Sequence, residues 1–184
     1  MDDITQLLHA ASAGDSVASQ RLFALMYNDL KRIARGSRHR VGSTDELNTT
    51  AVVHEGFLRM AEKGGLASSD RPAFIAYAGK VMRSVIVDAV RERLAAKRGG
   101  GVADVTLTTE IAGEAVDDER LLAIDTAMRT LQRLSPELHS LVETRYFAGM
   151  SLPEISAASG RPLRSLERDW EKARAVLRGL MDES

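Results

Sequence analysis

Arg164, Arg168 and Lys172 stand four residues apart near the end of this 184-residue chain. On a helix that spacing places them along one face. Leu166, Trp170, Ala173 and Leu177 recur at helical intervals among them and form an apolar side opposite. The chemistry open to such a row is non-covalent: ion pairs to phosphates and paired hydrogen bonds to the acceptor edges of bases in a major groove. Arg161 and Ser165, at the start of the same stretch, are counted with the row as candidate DNA contacts. Reactive alternatives are few. Cysteine is absent, which excludes disulfides and thiolate metal sites, and the four histidines, His9, His39, His54 and His139, are too far apart to suggest a metal cluster. His54 and Glu55 form an adjacent acid/base pair, but neighbours on a helix point apart and share a proton poorly. Neither catalysis nor a metal or cofactor is expected.

The elements that must position the row are legible from their punctuation. Ser151 with Glu154 three residues later is a capping box, and Leu152, Ile155 and Ala158 give the helix it opens one apolar side. Gly160 stops that helix, and a second follows Arg161-Pro162, so the pair reads as a helix-turn-helix. Upstream, Ser135-Pro136 starts a helix bearing Leu138, Leu141 and Val142, preceded by one with Leu121, Ile124, Met128 and Leu131 on a side. In the first half, Ile4, Leu7, Leu8 and Ala11 mark a short helix ending at Gly14. Asp15 or Ser16 caps the next, with Phe23, Met26, Tyr27, Leu30 and Ile33 inside. A third helix starts near Asn48 or Thr49 and ends at Gly64-Gly65. A long fourth opens at Asp70-Arg-Pro72 and carries Phe74, Tyr77, Ala78, Val81, Val85 and Ala89 on one side. Gly99 to about Asp117 holds four glycines, three of them at 99–101, and no helical period, as a linker would. An all-α protein follows, divided into residues 1–98, an acidic, flexible linker at 99–118, and residues 119–184.

Composition supports helix: 44% hydrophobic and 28% charged residues can bury a core, with only 4% aromatics. No run approaches a membrane span, and the Met-Asp-Asp start lacks a basic leader, so a soluble, cytoplasmic protein is expected. The net charge is −1, but bases cluster at Lys31–Arg40, Lys80–Arg98 and Arg161–Arg178, whereas Asp104–Glu119 holds acids alone. Separate basic clusters suit a chain that meets nucleic acid at several places.

These motifs resemble those of the extracytoplasmic-function (ECF) sigma factors of bacteria over nearly the whole chain. Tyr146-Phe-x-Gly149-x-Ser151-x-x-Glu154-Ile, then Gly160 and Arg168-x-Trp170-x-x-Ala173-Arg174, are similar to that family's domain for the minus-thirty-five element. Ala78-x-x-x-Met82-Arg83-x-x-x-x-Asp88-x-x-Arg91 is similar to its helix for recognising and melting the minus-ten element. The resemblance implies core RNA polymerase and promoter DNA as partners and a monomer when free. It further implies a basic track of Lys80, Arg83, Arg91 and Arg93 beside a base-capturing loop at Lys63–Asp70, although Arg91 and Arg93 cannot share one face. An acidic linker like that at 99–118 mimics nucleic acid in the channel that RNA later fills. Ser84 stands where the family commonly has Asn, and Pro162 where it commonly has Ser or Thr.

A larger departure concerns docking. The family's acidic stretch at the start of the third helix is replaced by Asn48-Thr49-Thr50-Ala51, leaving Glu55 as the acid on the docking turn. A phosphothreonine carries about −1.5 to −2 charges near neutral pH and would restore the missing acids. Thr50 is the expected phosphorylation site, with Thr49 the alternative and simple helix capping by both the plainer explanation. A serine/threonine kinase would then replace the family's membrane-bound anti-sigma factor. The competing function is a dimeric helix-turn-helix regulator that binds its operator without polymerase.

Overall fold

The computed structural model describes residues 3–40, 47–62, 66, 68–98 and 118–182. It is all-α, and no strand occurs among the described residues. Helix α1 (Asp3–Ser12) ends before Gly14, whose φ of 95° is a left-handed turn that favours glycine. Asp15 then accepts hydrogen bonds from the Val17 and Ala18 amides at 2.8 and 3.1 Å and starts α2 (Ser16–Arg40). Helix α3 spans Leu47–Glu62, and Asp70 caps α4 (Arg71–Arg98) by accepting from the Ala73 amide at 2.9 Å.

The second half opens with α5 (Asp118–Leu134). Ser135 accepts from the Leu138 amide and Pro136 sits in the first turn of α6 (Pro136–Val142), as the Ser-Pro pair implies. A π-helical turn continues it over Glu143–Phe147, closed by an Ala148 amide that reaches back to the Glu143 carbonyl at 2.9 Å. Helices α7 (Leu152–Ser159) and α8 (Leu163–Asp182) complete the chain.

Two features differ from what the sequence pattern predicts. Helix α4 was expected to bury one side, yet Phe74, Ile75, Ala78, Val81, Met82, Val85, Ile86, Val87, Ala89 and Val90 are all buried. It lies between α2 and α3 on one flank and the π turn and α5 on the other, so its apolar face is broad, while Lys80 and Ser84 remain exposed. Its residues share one continuous core with Leu121, Leu141, Ala148, Met150, Leu152, Ile155 and Leu166 of the second half. The two halves are therefore packed together. A satellite cluster of Met128, Leu131, Val142, Phe147 and Ala173 holds α5, α6 and α8. Burying one Leu or Met side chain stabilises by roughly 1.5–3 kcal/mol, more than an exposed ion pair at about 0–1 kcal/mol, so apolar contact sets the halves together. Residues 99–117 of the expected linker 99–118 lie outside the described residues, and Asp118 already belongs to α5.

Candidate nucleic-acid interface

In the helix-turn-helix, local chemistry builds the frame. The Ser151 hydroxyl accepts from the Glu154 amide at 3.3 Å while the Glu154 carboxylate accepts from the Ser151 amide at 2.7 Å, completing the capping box. Hydrogen bonds from the Ser151 hydroxyl and amide hold the Glu154 carboxyl below its ordinary pKa. Gly160 caps α7 at φ 71°, and the Ser156 hydroxyl donates to the Arg161 carbonyl at 2.6 Å across the turn. The Pro162 carbonyl accepts from the Ser165 and Leu166 amides at 3.0 and 3.2 Å, so α8 starts on backbone bonds there. Leu166 and Ala173 are fully buried, and Trp170 is half-buried under the Arg145 guanidinium, 4.9 Å from its ring centre.

This leaves Arg164, Arg168 and Lys172 together on the exposed face, the Arg168 side chain 69% accessible. Ser165 is half-buried and Arg161 is half-buried in an ion pair with Asp169. Arg164 and Lys172 are exposed beside Arg168, whose loose ion pair with Asp169 at 3.8 Å leaves it open to phosphate or base edges, whereas Arg161 must first leave its closer contact with the same acid.

Helix α4 presents its cations differently. Lys80 is exposed, but the Arg83 side chain is 13% accessible and committed to carboxylates from the second half. Its Nη1 donates to Asp125 Oδ1 at 2.6 Å, and its Nε and Nη2 to Glu143 Oε1 at 2.9 and 2.6 Å. Arg91 Nη2 reaches the other oxygen of Asp125 at 2.5 Å, and Arg129 pairs with it at 3.0 Å. His139 Nε2 lies 3.4 Å from Glu143 Oε1. Burial, the largest influence, pushes the His139 pKa below its ordinary value; Glu143 opposes this, while Arg83 and Lys80 add to it. The expected cationic track is thus divided between an exposed Lys80 and a half-buried, ion-paired Arg83. The side chain of Arg93 and residues 63–65 and 67 of the expected base-capturing loop lie outside the described residues.

Asp125, Glu143 and His139 were not singled out from sequence. A signal existed for Asp125: it falls four residues after Leu121 and three before Met128, an acid inside an apolar stripe. A buried carboxylate needs a cationic partner, but the stripe does not say which one.

On the expected docking helix, Thr49 is 2% accessible and buried, while Thr50 beside it is half-buried. The side chain of Asn48 lies outside the described residues. Glu55 accepts from Arg59 Nε at 2.7 Å, and Arg59 Nη1 also donates to Asp88 on α4 at 2.6 Å. Burial disfavours the Arg59 charge, but these two carboxylates outweigh it and raise its pKa. His54 instead packs at a tilt against Phe23, ring centres 5.2 Å apart, so the neighbours His54 and Glu55 serve different partners rather than one proton transfer.

No curated protein matches the chain. A solved structure, that of CnrH in complex with the cytosolic domain of CnrY, is 21% identical, with 100% of this chain and 99% of that one covered; its TM-score of 0.44 is too low to carry residue positions across. A family model described as ECF sigma factor matches residues 1–183, almost the full length that holds both the exposed row on α8 and the cations of α4. The chain belongs to the ECF sigma factor family.

Proposed function

We propose that this sigma factor directs core RNA polymerase to its promoters through two helices, and that phosphorylation of Thr50 licenses its docking. Helix α8 reads the minus-thirty-five element with Arg164, Arg168 and Lys172, assisted by Arg161 and Ser165. Helix α4 serves the minus-ten element with Lys80, Arg83 and Arg91. Residues 1–98 form the polymerase-binding and minus-ten unit, 99–118 the linker, and 119–184 the upstream unit. The carrying observation is α8 itself: Leu166 and Ala173 are fully buried on one side, and the cations four residues apart are exposed on the other. No covalent chemistry is required, in keeping with a family of transcription regulators.

Docking falls to the start of α3, where Asn48, Thr49 and Thr50 replace acids and Glu55 is already paired to Arg59. Of the two threonines, Thr50 is the accessible one. It lies in the first turn of α3, where the helix dipole favours negative charge. A phosphate of about −1.5 to −2 charges there offers a basic polymerase surface what two carboxylates would. The upstream partner is then a serine/threonine protein kinase.

The test compares core-polymerase binding by the unmodified protein, Thr50→Ala, Thr50→Glu, and protein carrying phosphothreonine installed at position 50. Phosphothreonine is expected to bind tightest and Glu, with a single charge, to rescue in part. Equal binding by the unmodified, Ala and phosphorylated forms would remove the switch.

A further inference from the structure

Promoter-facing arginines are expected to be open to solvent, but Arg83 and Arg91 are held by acids of the opposite half of the molecule. Asp125, 5% accessible, gathers Arg83, Arg91 and Arg129. Glu143 takes two bonds from Arg83 through Oε1, while its Oε2 is buried with no hydrogen-bond partner among the described residues. Removing such a carboxylate from water costs heavily, and an incompletely satisfied buried ion pair is a weak source of stability. It is a strong means of distinguishing a packed state from a separated one.

The carboxylates also stand in the right chemical relation to the arginines. A guanidinium flanked by acceptor oxygens, as Arg83 is by Asp125 Oδ1 on one side and Glu143 Oε1 on the other, has the same hydrogen-bond needs whether these belong to carboxylates or to DNA phosphates. The π turn that carries Glu143 reaches α4 because position 79 is glycine. A Cβ there would lie 2.6 to 2.7 Å from the Cβ, Cα and amide nitrogen of Ala148, two of them main-chain atoms that cannot swing aside. Ser37 on α2 adds one buried hydroxyl, 3.4 Å from the Phe147 carbonyl.

We propose that this contact is an autoinhibitory latch: Asp125 and Glu143 occupy Arg83 and Arg91 in place of DNA phosphates, and the π turn seated on Gly79 closes the two halves until promoter or polymerase separates them. The latch rests on the assignment of α4 to promoter DNA. When it is shut, apparent affinity for DNA falls by the fraction of molecules that are open, so a latch closing nine molecules in ten weakens promoter use about tenfold.

Two variants open it by unrelated means. Asp125→Asn combined with Glu143→Gln keeps shape and removes charge; Gly79→Ala keeps every charge and drives the π turn off α4. The chain has no cysteine, so spin labels on Leu25→Cys and Leu134→Cys, at residues 55% and 67% exposed on α2 and α5, report the separation directly. Run-off transcription with core polymerase held below saturation, on unmodified protein and on protein with phosphothreonine at position 50, reports function. Both variants are expected to lengthen the label distance and to raise transcription at limiting factor by up to about tenfold.

Unchanged distances in a variant of parental helical content would overturn the latch. Loss of helical content in both variants would overturn it too, since the contact would then be structural. Arg83→Ala placed in the opened background separates the remaining cases. If it lowers promoter use there while opening brought no gain, the latch is wrong and α4 still meets DNA. If it changes nothing, α4 does not meet the promoter, and the latch falls with that assignment.

Discussion

Arg168 and Arg83 are one side chain type in two electrostatic settings: the first 69% accessible on α8, the second 13% accessible between Asp125 and Glu143. Exposure makes Arg168 the cleaner probe of base reading. Replacing it with Ala is expected to weaken discrimination among upstream elements by about 1–3 kcal/mol if it makes a paired contact to a guanine. Selection from a library randomised at the upstream element measures this, and an unchanged preference would remove Arg168 from the reading face. Trp170, expected on the apolar side of α8, is half-buried beneath Arg145. Trp170→Ala should therefore lower stability by about 2 kcal/mol, short of the 3–5 kcal/mol of a fully enclosed aromatic; an unaltered melting temperature would show it contributes no packing. The α8 row could be found from sequence because one helix's own periodicity separates its buried and exposed faces. The Arg83 group could not, since its carboxylates lie 42 and 60 residues away and only tertiary packing brings them in.

Elements followed the same division between local and distant causes. Asp15, Asp70, Ser135 and Ser151 each cap the helix expected of them, because a cap is decided within three residues by hydrogen bonds to first-turn amides. The burial of α4 over a broader face than one stripe and the π turn over Glu143–Phe147 depend on neighbours, and neither leaves a simple periodic mark. Helix α6 carries the testable consequence. Burial holds His139 below its ordinary value of 6.5, so around that pH the unfolded chain binds a proton that the folded one refuses. The stability this neutral histidine allows is full above about pH 6.5 and is lost progressively as pH falls toward the depressed folded value. Denaturant midpoints taken from about pH 7.5 down to about pH 5 should fall further for the parent than for His139→Gln. Parallel curves would mean that His139 does not sense the buried site.

At the scale of the molecule, α4 is the shared wall. It completes the core of the first half through α2 and α3 and meets the second half through Gly79, Arg83 and Ala148, so packing joins what composition divides at the linker. No helix among the described residues is long and apolar enough to cross a membrane. What the assembled molecule does is initiation through a partner, and one experiment addresses that without intermediate assumptions. Purified core polymerase is given a promoter library with the unmodified chain, with the chain phosphorylated at Thr50, or with no addition, and run-off transcripts are sequenced. The expected result is a defined set of start sites that appears with the chain, strengthens on phosphorylation, and shares one upstream and one downstream element. Operator binding by a dimer of the chain alone, with no transcript gained from core polymerase in either form, would contradict it.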